Sequence, residues 1–379
     1  MRHKRYPKRL HTYCNAPQVV DFKYNLDMLF TDIRLQNYRS YKEASFELGP
    51  GVNIVVGPNT AGKTNLLEAL LLSAVGKSYK ASDLLLIRKD AEWARVDTHT
   101  NSNQSRTVKI TKNNDGRSEK TFEIDNKEYK KLPVNTKYPV VLFQPGDLNL
   151  LNFEPSARRE YLDNFIEQFV VGHSSAVSKM KRILAQRNAL LKQPGMDKGN
   201  LFAWDVRFCE IASQVIKNRL NTLEKINSKL SKTYSSLAGN KTKVIFTYES
   251  KINLDNYTSS LMKNLENNLE LDKLRGFTSN GPHRDDITAY FGDTPLANSA
   301  SRGENRTFML SLKILELEIL EKATQKRPLL LLDDVFSELD GARRRALTNY
   351  LDGFQTLITT TDADAIMQNF ADKSNKITI

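Results

Sequence analysis

Short apolar runs occur near both ends of the chain, and a long stretch with helical spacing separates them. Residues 52–56 and 140–143 are apolar runs bounded by Gly or Pro, which predicts short buried strands. Residues 93–132 alternate polar and apolar positions around turns at 113–116 and 125–126, which predicts antiparallel hairpins. The ends of the chain are therefore expected to form an α/β domain.

The pattern changes after Pro155. Residues 156–191 and 201–237 show helical spacing with few breakers, and Gln193-Pro194-Gly195 separates the two stretches. Strand signals resume at residues 287–291. We therefore predict a mostly helical insertion in a split α/β domain, with bounds of 155–278 for the insertion and of 28–154 and 279–379 for the split domain.

Charge and cysteine content narrow the class of protein. The 379 residues carry 56 Lys and Arg against 44 Asp and Glu, a net charge of +12, which favours a nucleic acid or another polyanion as partner. Two widely separated cysteines indicate a reduced, intracellular protein, so we expect a cytoplasmic, nucleoid-associated location. Apolar runs all fall short of the roughly 18 residues that a membrane span needs, so no membrane partner is expected.

The first 27 residues form a basic segment without an apolar core, which is not typical of a secretory signal. Their composition predicts a disordered extension, residues 1–27. Met28 begins the first recognisable strand, so translation from Met28 is an alternative.

The strongest motif follows the strand predicted at residues 52–56. It fits G-x-x-x-x-G-K-[ST] and comprises Gly57, Pro58, Asn59, Thr60, Ala61, Gly62, Lys63 and Thr64. A helical run follows at residues 66–73, and strand, loop and helix together predict a phosphate loop that binds ATP. In such a loop the lysine reaches the β- and γ-phosphates, and the Thr hydroxyl is a ligand of Mg²⁺.

A second motif supplies carboxylates. Four leucines precede Asp333 and Asp334, which predicts a buried Walker B strand beside the phosphate-loop strand. We expect Asp333 to be a ligand of Mg²⁺ and Asp334 to orient or deprotonate the attacking water. An ordinary strand-end cap is the alternative, and it is weaker beside a complete phosphate loop.

Ser301-Arg302-Gly303-Glu304 opens a helix expected to run to about residue 323. A hydroxyl, a bare glycine and free N–H groups at a helix start predict a second anion site at Ser301 and Gly303. The same residues fit a plain capping box of Ser301 with Glu304, which is the stronger interpretation of these residues alone.

In chain order, the phosphate loop, Ser-x-Gly-Glu, Leu-Leu-Asp-Asp and Ser-Glu-Leu-Asp resemble the ABC-type ATPases of chromosome maintenance and repair. Four more segments narrow this to a resemblance to the RecF family. They are FQPGDL at 143–148, PSARREYLD at 155–163, QRNAL at 186–190 and GPHRDD at 281–286. The resemblance covers the chain from about Met28 onwards and implies an ABC-type P-loop ATPase head, of mixed sheets and helices, with an inserted helical arm.

The resemblance also implies roles for particular residues. Phosphates and Mg²⁺ would be bound by Asn59, Gly62, Lys63 and Thr64. Gln144 would link the metal or the water to the arm. Ser301 and Gly303 would contact the γ-phosphate of ATP held by a second subunit, in an ATP-dependent homodimer. Asp334 stands where transporter relatives have a catalytic Glu and is one methylene shorter, so slow, DNA-dependent hydrolysis is expected.

The resemblance implies ATP-dependent binding to duplex DNA at gaps and single-strand/double-strand junctions. It also implies a role in recombinase loading, with RecO and RecR as partners. An SMC-like structural tether and another ABC-type DNA motor remain alternatives. The tether is disfavoured because an arm of about 120 residues without sustained heptads has little reach.

A run of basic residues in the predicted insertion is the candidate DNA contact. Residues 174–195 hold five basic side chains and no acid, and the DNA-binding candidates among them are Lys179, Lys181, Arg182 and Arg187. The next helix adds Lys217, Arg219, Lys225, Lys229 and Lys232. A solvated helix face is the alternative for each of these residues, but together with the net charge they favour a phosphate track.

Overall fold

The structure is a computed structural model that describes residues 29–195, 198–361 and 374–379. The predicted extension of residues 1–27 lies outside the described residues. The strands are β1 (Phe30–Tyr38), β2 (Tyr41–Glu47), β3 (Val52–Val56), β4 (Trp93–Thr100), β5 (Ser105–Lys112), β6 (Ser118–Ile124), β7 (Lys127–Tyr129), β8 (Val140–Phe143), β9 (Val244–Glu249), β10 (Asp286–Phe291), β11 (Thr294–Pro295), β12 (Leu329–Asp333), β13 (Thr356–Thr360) and β14 (Asn375–Thr378).

The α-helices are α1 (Lys63–Val75), α2 (Pro155–Ile166), α3 (His173–Leu191), α4 (Lys198–Ala238), α5 (Tyr257–Asn267), α6 (Leu269–Arg275), α7 (Leu296–Ser299), α8 (Arg302–Thr324), α9 (Val335–Glu338) and α10 (Gly341–Leu351). Three 3-10 helices cover Asp83–Leu86, Val134–Thr136 and Pro145–Asn152. No α-helix in the described ranges is long and apolar enough to cross a bilayer.

A five-stranded parallel sheet carries the two nucleotide motifs, in the order β14-β3-β13-β12-β8. All five residues of β12 are buried, as expected for a parallel strand covered on both faces. Carboxyl ends of parallel strands meet at one edge of the sheet, so the loops after β3, β8 and β12 lie together there.

Helix α1 lies between this sheet and a six-stranded antiparallel sheet in the order β2-β1-β4-β5-β6-β7. Leu66, Leu67, Leu70 and Leu72 are fully buried, because both sheets contribute side chains to the core around the helix. The predicted hairpins of residues 93–132 are confirmed as β4 to β7.

A second core joins α4, α8 and a three-stranded sheet of order β11-β10-β9. The rings of Phe246 on β9 and Phe308 on α8 meet edge to face, with centroids 5.7 Å apart. Strand β9 lies before residue 278 and β10 after it, so the sheet spans the predicted end of the helical insertion.

One helix prediction was wrong. Residues 156–191 were expected to form one helical stretch, but α2 ends at Ile166 and α3 begins at His173. Gly172, just before α3, has φ of 86°. This left-handed conformation suits glycine and breaks the helical path, whereas the hydrophobic spacing continues across the break.

Candidate nucleotide-binding site

The phosphate loop joins β3 to α1, and its second glycine is sterically required. Gly62 has φ of 110°, and a Cβ there would lie 2.8 Å from Ser40 Oγ and 2.9 Å from Tyr41 Oη. The Tyr41 hydroxyl also donates to the Gly62 carbonyl at 3.1 Å. The β1–β2 turn therefore supports the loop from outside, and the N-terminus of α1 begins directly after Gly62, where helix N–H groups favour an anion.

Lys63 is the first residue of α1 and is only 8% exposed. Its Nζ donates to the carbonyl oxygens of Gly57 at 2.8 Å and Pro58 at 2.9 Å. These bonds hold the ammonium group against the loop, at the position where a lysine can neutralise phosphate charge.

The structure brings the predicted metal ligands together. Thr64 Oγ donates to Asp333 Oδ1 at 2.8 Å, and Thr359 Oγ donates to the same oxygen at 3.0 Å. A hydroxyl beside a carboxylate at the edge of a parallel sheet is a donor set that suits Mg²⁺, which prefers oxygen ligands. The pair Thr64 and Asp333 therefore fits the predicted ion.

Asp334 has a left-handed backbone conformation, with φ of 55°. Its N–H donates to Thr359 Oγ at 2.9 Å, and its carboxylate accepts from Ser337 Oγ at 3.3 Å. A non-glycine residue with positive φ is uncommon and is often found at functional sites. Of the two neighbouring carboxylates, Asp333 is buried and Asp334 is half-buried.

Gln144 follows β8 at the same edge of the sheet. Phe143 pairs with Leu332 in the register of β8 and β12, so Gln144 and Asp333 occupy matching positions. The Gln144 N–H donates to Asp147 Oδ2 at 3.1 Å. Gln144 lines a cavity of about 480 Å³ that is also lined by Tyr79 and Tyr161.

The segment Ser301-Arg302-Gly303-Glu304, called the signature below, forms the start of α8. Ser301 is its N-cap and forms a capping box with Glu304, so the plain-cap interpretation is confirmed as local geometry. Ser301 remains exposed. In the described structure the hydrogen-bond partners of Ser301 and Gly303 are Glu304, Arg343 and residues within α8, and none of these belongs to the phosphate loop.

The sequence motifs did not identify three residues that contact the predicted sites. Thr359 bonds both Asp333 and Asp334. Tyr79 places its hydroxyl 3.5 Å from Asp333, and burial, with the Asp333 charge, raises the pKa of Tyr79 well above its usual range. Arg343 donates to the Gly303 carbonyl at 2.8 Å. No local pattern marks Tyr79, whereas Thr359 could have been found from its position near the carboxyl end of the parallel strand β13.

The predicted DNA-binding residues divide into two groups. Lys179, Lys181 and Arg182 are exposed on α3. Arg187 is fully buried, and its Nε lies 2.6 Å from Asp205 Oδ1, so the prediction that it contacts DNA was wrong.

Arg219 on α4 was also expected to join the phosphate track, and it too is buried. Both of its terminal arms are occupied: Nη2 pairs with Asp163 at 2.8 Å, and Nη1 donates to the Pro282 carbonyl at 2.8 Å. A buried, paired guanidinium cannot reach a phosphate. The exposed Lys229 pairs with Glu318 on α8, so it is a weaker candidate for a phosphate contact.

The protein has a phosphate loop and a Walker B strand in one parallel sheet, an antiparallel sheet over α1 and an exposed Ser-x-Gly-Glu helix start. Together these features define an ABC-type ATPase head. Comparison with known proteins agrees. The family described as RecF/RecN/SMC N terminal domain matches residues 29–379. The "DNA replication and repair protein RecF" of Lachnoclostridium phytofermentans is 32% identical over 359 residues, which cover 90% of this chain and 95% of the relative.

Two solved structures are similar along nearly the whole chain. The recombination mediator protein RecF-ATP in the RecFOR pathway has a TM-score of 0.81 at 30% identity, covering 89% of this chain and 93% of that one. The RecF-ATPrS structure has a TM-score of 0.84 at 29% identity, covering 94% and 98%. The chain belongs to the RecF family, and the resemblance inferred from its motifs is confirmed.

Proposed function

We propose that this protein is an ATP-dependent DNA-binding protein of recombinational repair and replication restart, in which ATP drives formation of a homodimer on duplex DNA. The proposal rests on the separation, within one subunit, of two parts of the site: the metal-binding pair and the signature. Thr64 and Asp333 are in contact, whereas Ser301 is exposed and, within the described part of the chain, bonded only at its own helix start. Two subunits related by a two-fold axis would bring each exposed signature to the other subunit's phosphate loop.

The residues of the loop suit ATP with Mg²⁺. When bound, ATP supplies the phosphoryl group that hydrolysis transfers to water. Lys63 would neutralise phosphate charge, and Thr64 and Asp333 would hold the metal ion. Asp334 orients or deprotonates the attacking water, and its short side chain makes this step slow. Gln144 stands beside this edge and links it to the arm.

Exposed positive charge supports DNA as the partner of this protein. Lys179, Lys181 and Arg182 are exposed on α3, in a chain of net charge +12. Contacts of this kind recognise phosphates without reading sequence. The relatives are named as DNA replication and repair proteins and one is placed in the RecFOR pathway, so we propose gapped or junction DNA as the ligand and RecO and RecR as partners.

Sedimentation of the purified protein with ATP and Mg²⁺ tests the proposal. Wild type should be a dimer with ATP and a monomer without nucleotide. Ser301→Arg should bind ATP yet stay monomeric, because the added side chain blocks the exposed helix start. Ser228→Arg adds the same group to an exposed position of α4 and should dimerise normally. A Ser301→Arg variant that dimerises like wild type would refute the composite site.

A further inference from the structure

A buried ionic cluster lies behind Gln144 and is not used by the proposed chemistry. Lys313, on α8, is 5% exposed. Its Nζ lies 3.4 Å from Asp147 Oδ2 and 3.4 Å from Glu316 Oε2. The Tyr161 hydroxyl on α2 donates to Glu316. The cluster therefore joins α8, α2 and the 3-10 helix that follows Gln144.

One oxygen atom connects this cluster to the nucleotide edge. Asp147 Oδ2, which pairs with Lys313, is also the acceptor for the Gln144 N–H at 3.1 Å. The Lys313 ammonium lies over the ring of Phe143 as well, 5.9 Å from its centroid. Lys313 thus contacts the residue before Gln144 and the carboxylate that holds Gln144 in place.

Lys313 and the signature share one continuous helix. Ser301 caps α8, and Lys313 follows twelve residues later, about 18 Å along the axis at 1.5 Å per residue. Any displacement of the helix start along the axis is transmitted to Lys313, because α-helices are stiff over this length. Gln144 and the cluster line the same cavity of about 480 Å³, which leaves the loop of Gln144 room to move.

We propose that Lys313 is a positioning residue that couples Gln144 to the position of α8, so that engagement of Ser301 at one composite site sets Gln144 at the other. This rests on the proposed function, because it requires a dimer with two composite sites. An apolar residue could fill the same space but could not hold Asp147.

The charge state of the cluster supports this role. Burial lowers the pKa of Lys313, but the carboxylates of Asp147 and Glu316 outweigh burial, so the net pKa shift is upward and the ammonium stays charged. Burial raises the pKa of Glu316 more than Lys313 lowers it. Asp147 is the carboxylate that both pairs with Lys313 and accepts from the Gln144 N–H. Glu316 pairs with Lys313 but, among the described residues, makes no hydrogen bond to Gln144, so it serves as a matched control.

The test compares ATP hydrolysis on duplex DNA, ATP binding and melting temperature for wild type, Lys313→Met, Asp147→Asn and Glu316→Gln. Lys313→Met and Asp147→Asn should each lower kcat by about tenfold, because a misplaced positioning group costs rate rather than binding. Their ATP dissociation constants should stay within about twofold of wild type, and their Hill coefficients should fall towards one. Glu316→Gln should keep kcat within about twofold.

The double variant Lys313→Met/Asp147→Asn removes the charge of Asp147 together with that of Lys313, so Asp147 is not left as a buried carboxylate without its cation if a single variant fails to fold. It should lose no more rate than either single variant, because both changes break one link. Wild-type kcat and Hill coefficient in this double variant would overturn the inference. Equal losses in all four variants, Glu316→Gln included, would also overturn it and assign the cluster to packing. If wild type itself does not dimerise with ATP, the proposed function fails instead.

Discussion

Replacement of Arg187 distinguishes a structural arginine from a DNA contact. The guanidinium is fully buried, with Nε 2.6 Å from Asp205 and Nη1 3.0 Å from Asp272. Nη1 also donates to Thr278 Oγ at 2.8 Å. These bonds join α3, α4 and α6, so Arg187→Met should destabilise the arm and leave the exposed basic face unchanged.

The size of the effect follows from burial. The carboxylate side chains of Asp205 and Asp272 are 8% and 1% exposed, so the substitution leaves two carboxylates without their cation and out of water. Removing one partner of a buried ionic group costs about 3–5 kcal/mol. Folded domains are stable by only about 5–15 kcal/mol, so the loss is a large fraction of the total. Arg187→Met/Asp205→Asn/Asp272→Asn removes all three charges and should recover part of the stability.

Urea unfolding followed by tryptophan fluorescence measures this loss. Trp204 lies on α4 next to Asp205, so a Trp93→Phe background makes the signal report on the arm. Arg187→Met should lower the urea midpoint by the lost free energy divided by m. The exposed Lys179→Met should change stability by less than about 0.5 kcal/mol. A wild-type urea midpoint in Arg187→Met, with a salt slope of DNA binding reduced by about 0.9, would refute the reasoning and return Arg187 to the DNA interface.

Three further substitutions test the nucleotide and DNA sites. Lys63→Met should abolish tight ATP binding in a filter or calorimetric assay, because the phosphate charge loses its cation; retained affinity would contradict the role given to Lys63. Asp334→Asn should bind ATP but hydrolyse it at least about tenfold more slowly, and should accumulate as dimer on DNA; unchanged turnover would leave Asp334 a structural cap. Reversal of Lys179, Lys181 and Arg182 to Glu should weaken binding to all duplex sequences and flatten its salt dependence without affecting ATP affinity, and unchanged binding would place the DNA elsewhere.

The nucleotide site could be predicted from sequence because each half is fixed by local structure. The phosphate loop and the Walker B carboxylate both follow apolar strands, and parallel strands end at one edge of a sheet. Thr64 and Asp333 therefore meet although 269 residues separate them. Gln144 follows the same rule at the end of β8.

The arm could be predicted only in outline. Its helices follow from hydrophobic spacing, but the break at Gly172 does not, because the apolar spacing continues on either side. Arg187 belongs to a basic run without acids, so its local sequence indicates a solvated or DNA-binding face. Its carboxylate partners lie 18 and 85 residues further along the chain.

The nucleotide site could be predicted and the contacts of the arm could not, because a buried carboxylate and a basic side chain differ in how narrowly they restrict their partners. A carboxylate that ends a buried strand must meet a cation or a donor at the sheet edge, so its surroundings can be inferred. A lysine or arginine on a helix can face solvent, a phosphate or a distant aspartate, and helical spacing separates these cases poorly because long basic side chains cover apolar surface in all of them. Lys313 on α8 is likewise a buried basic residue that its local sequence does not identify, and its neighbours Asp147 and Glu316 show that it belongs to an ionic cluster. Basic residues of the RecF family are therefore best assigned by the acids that surround them in three dimensions, before any of them is attributed to DNA.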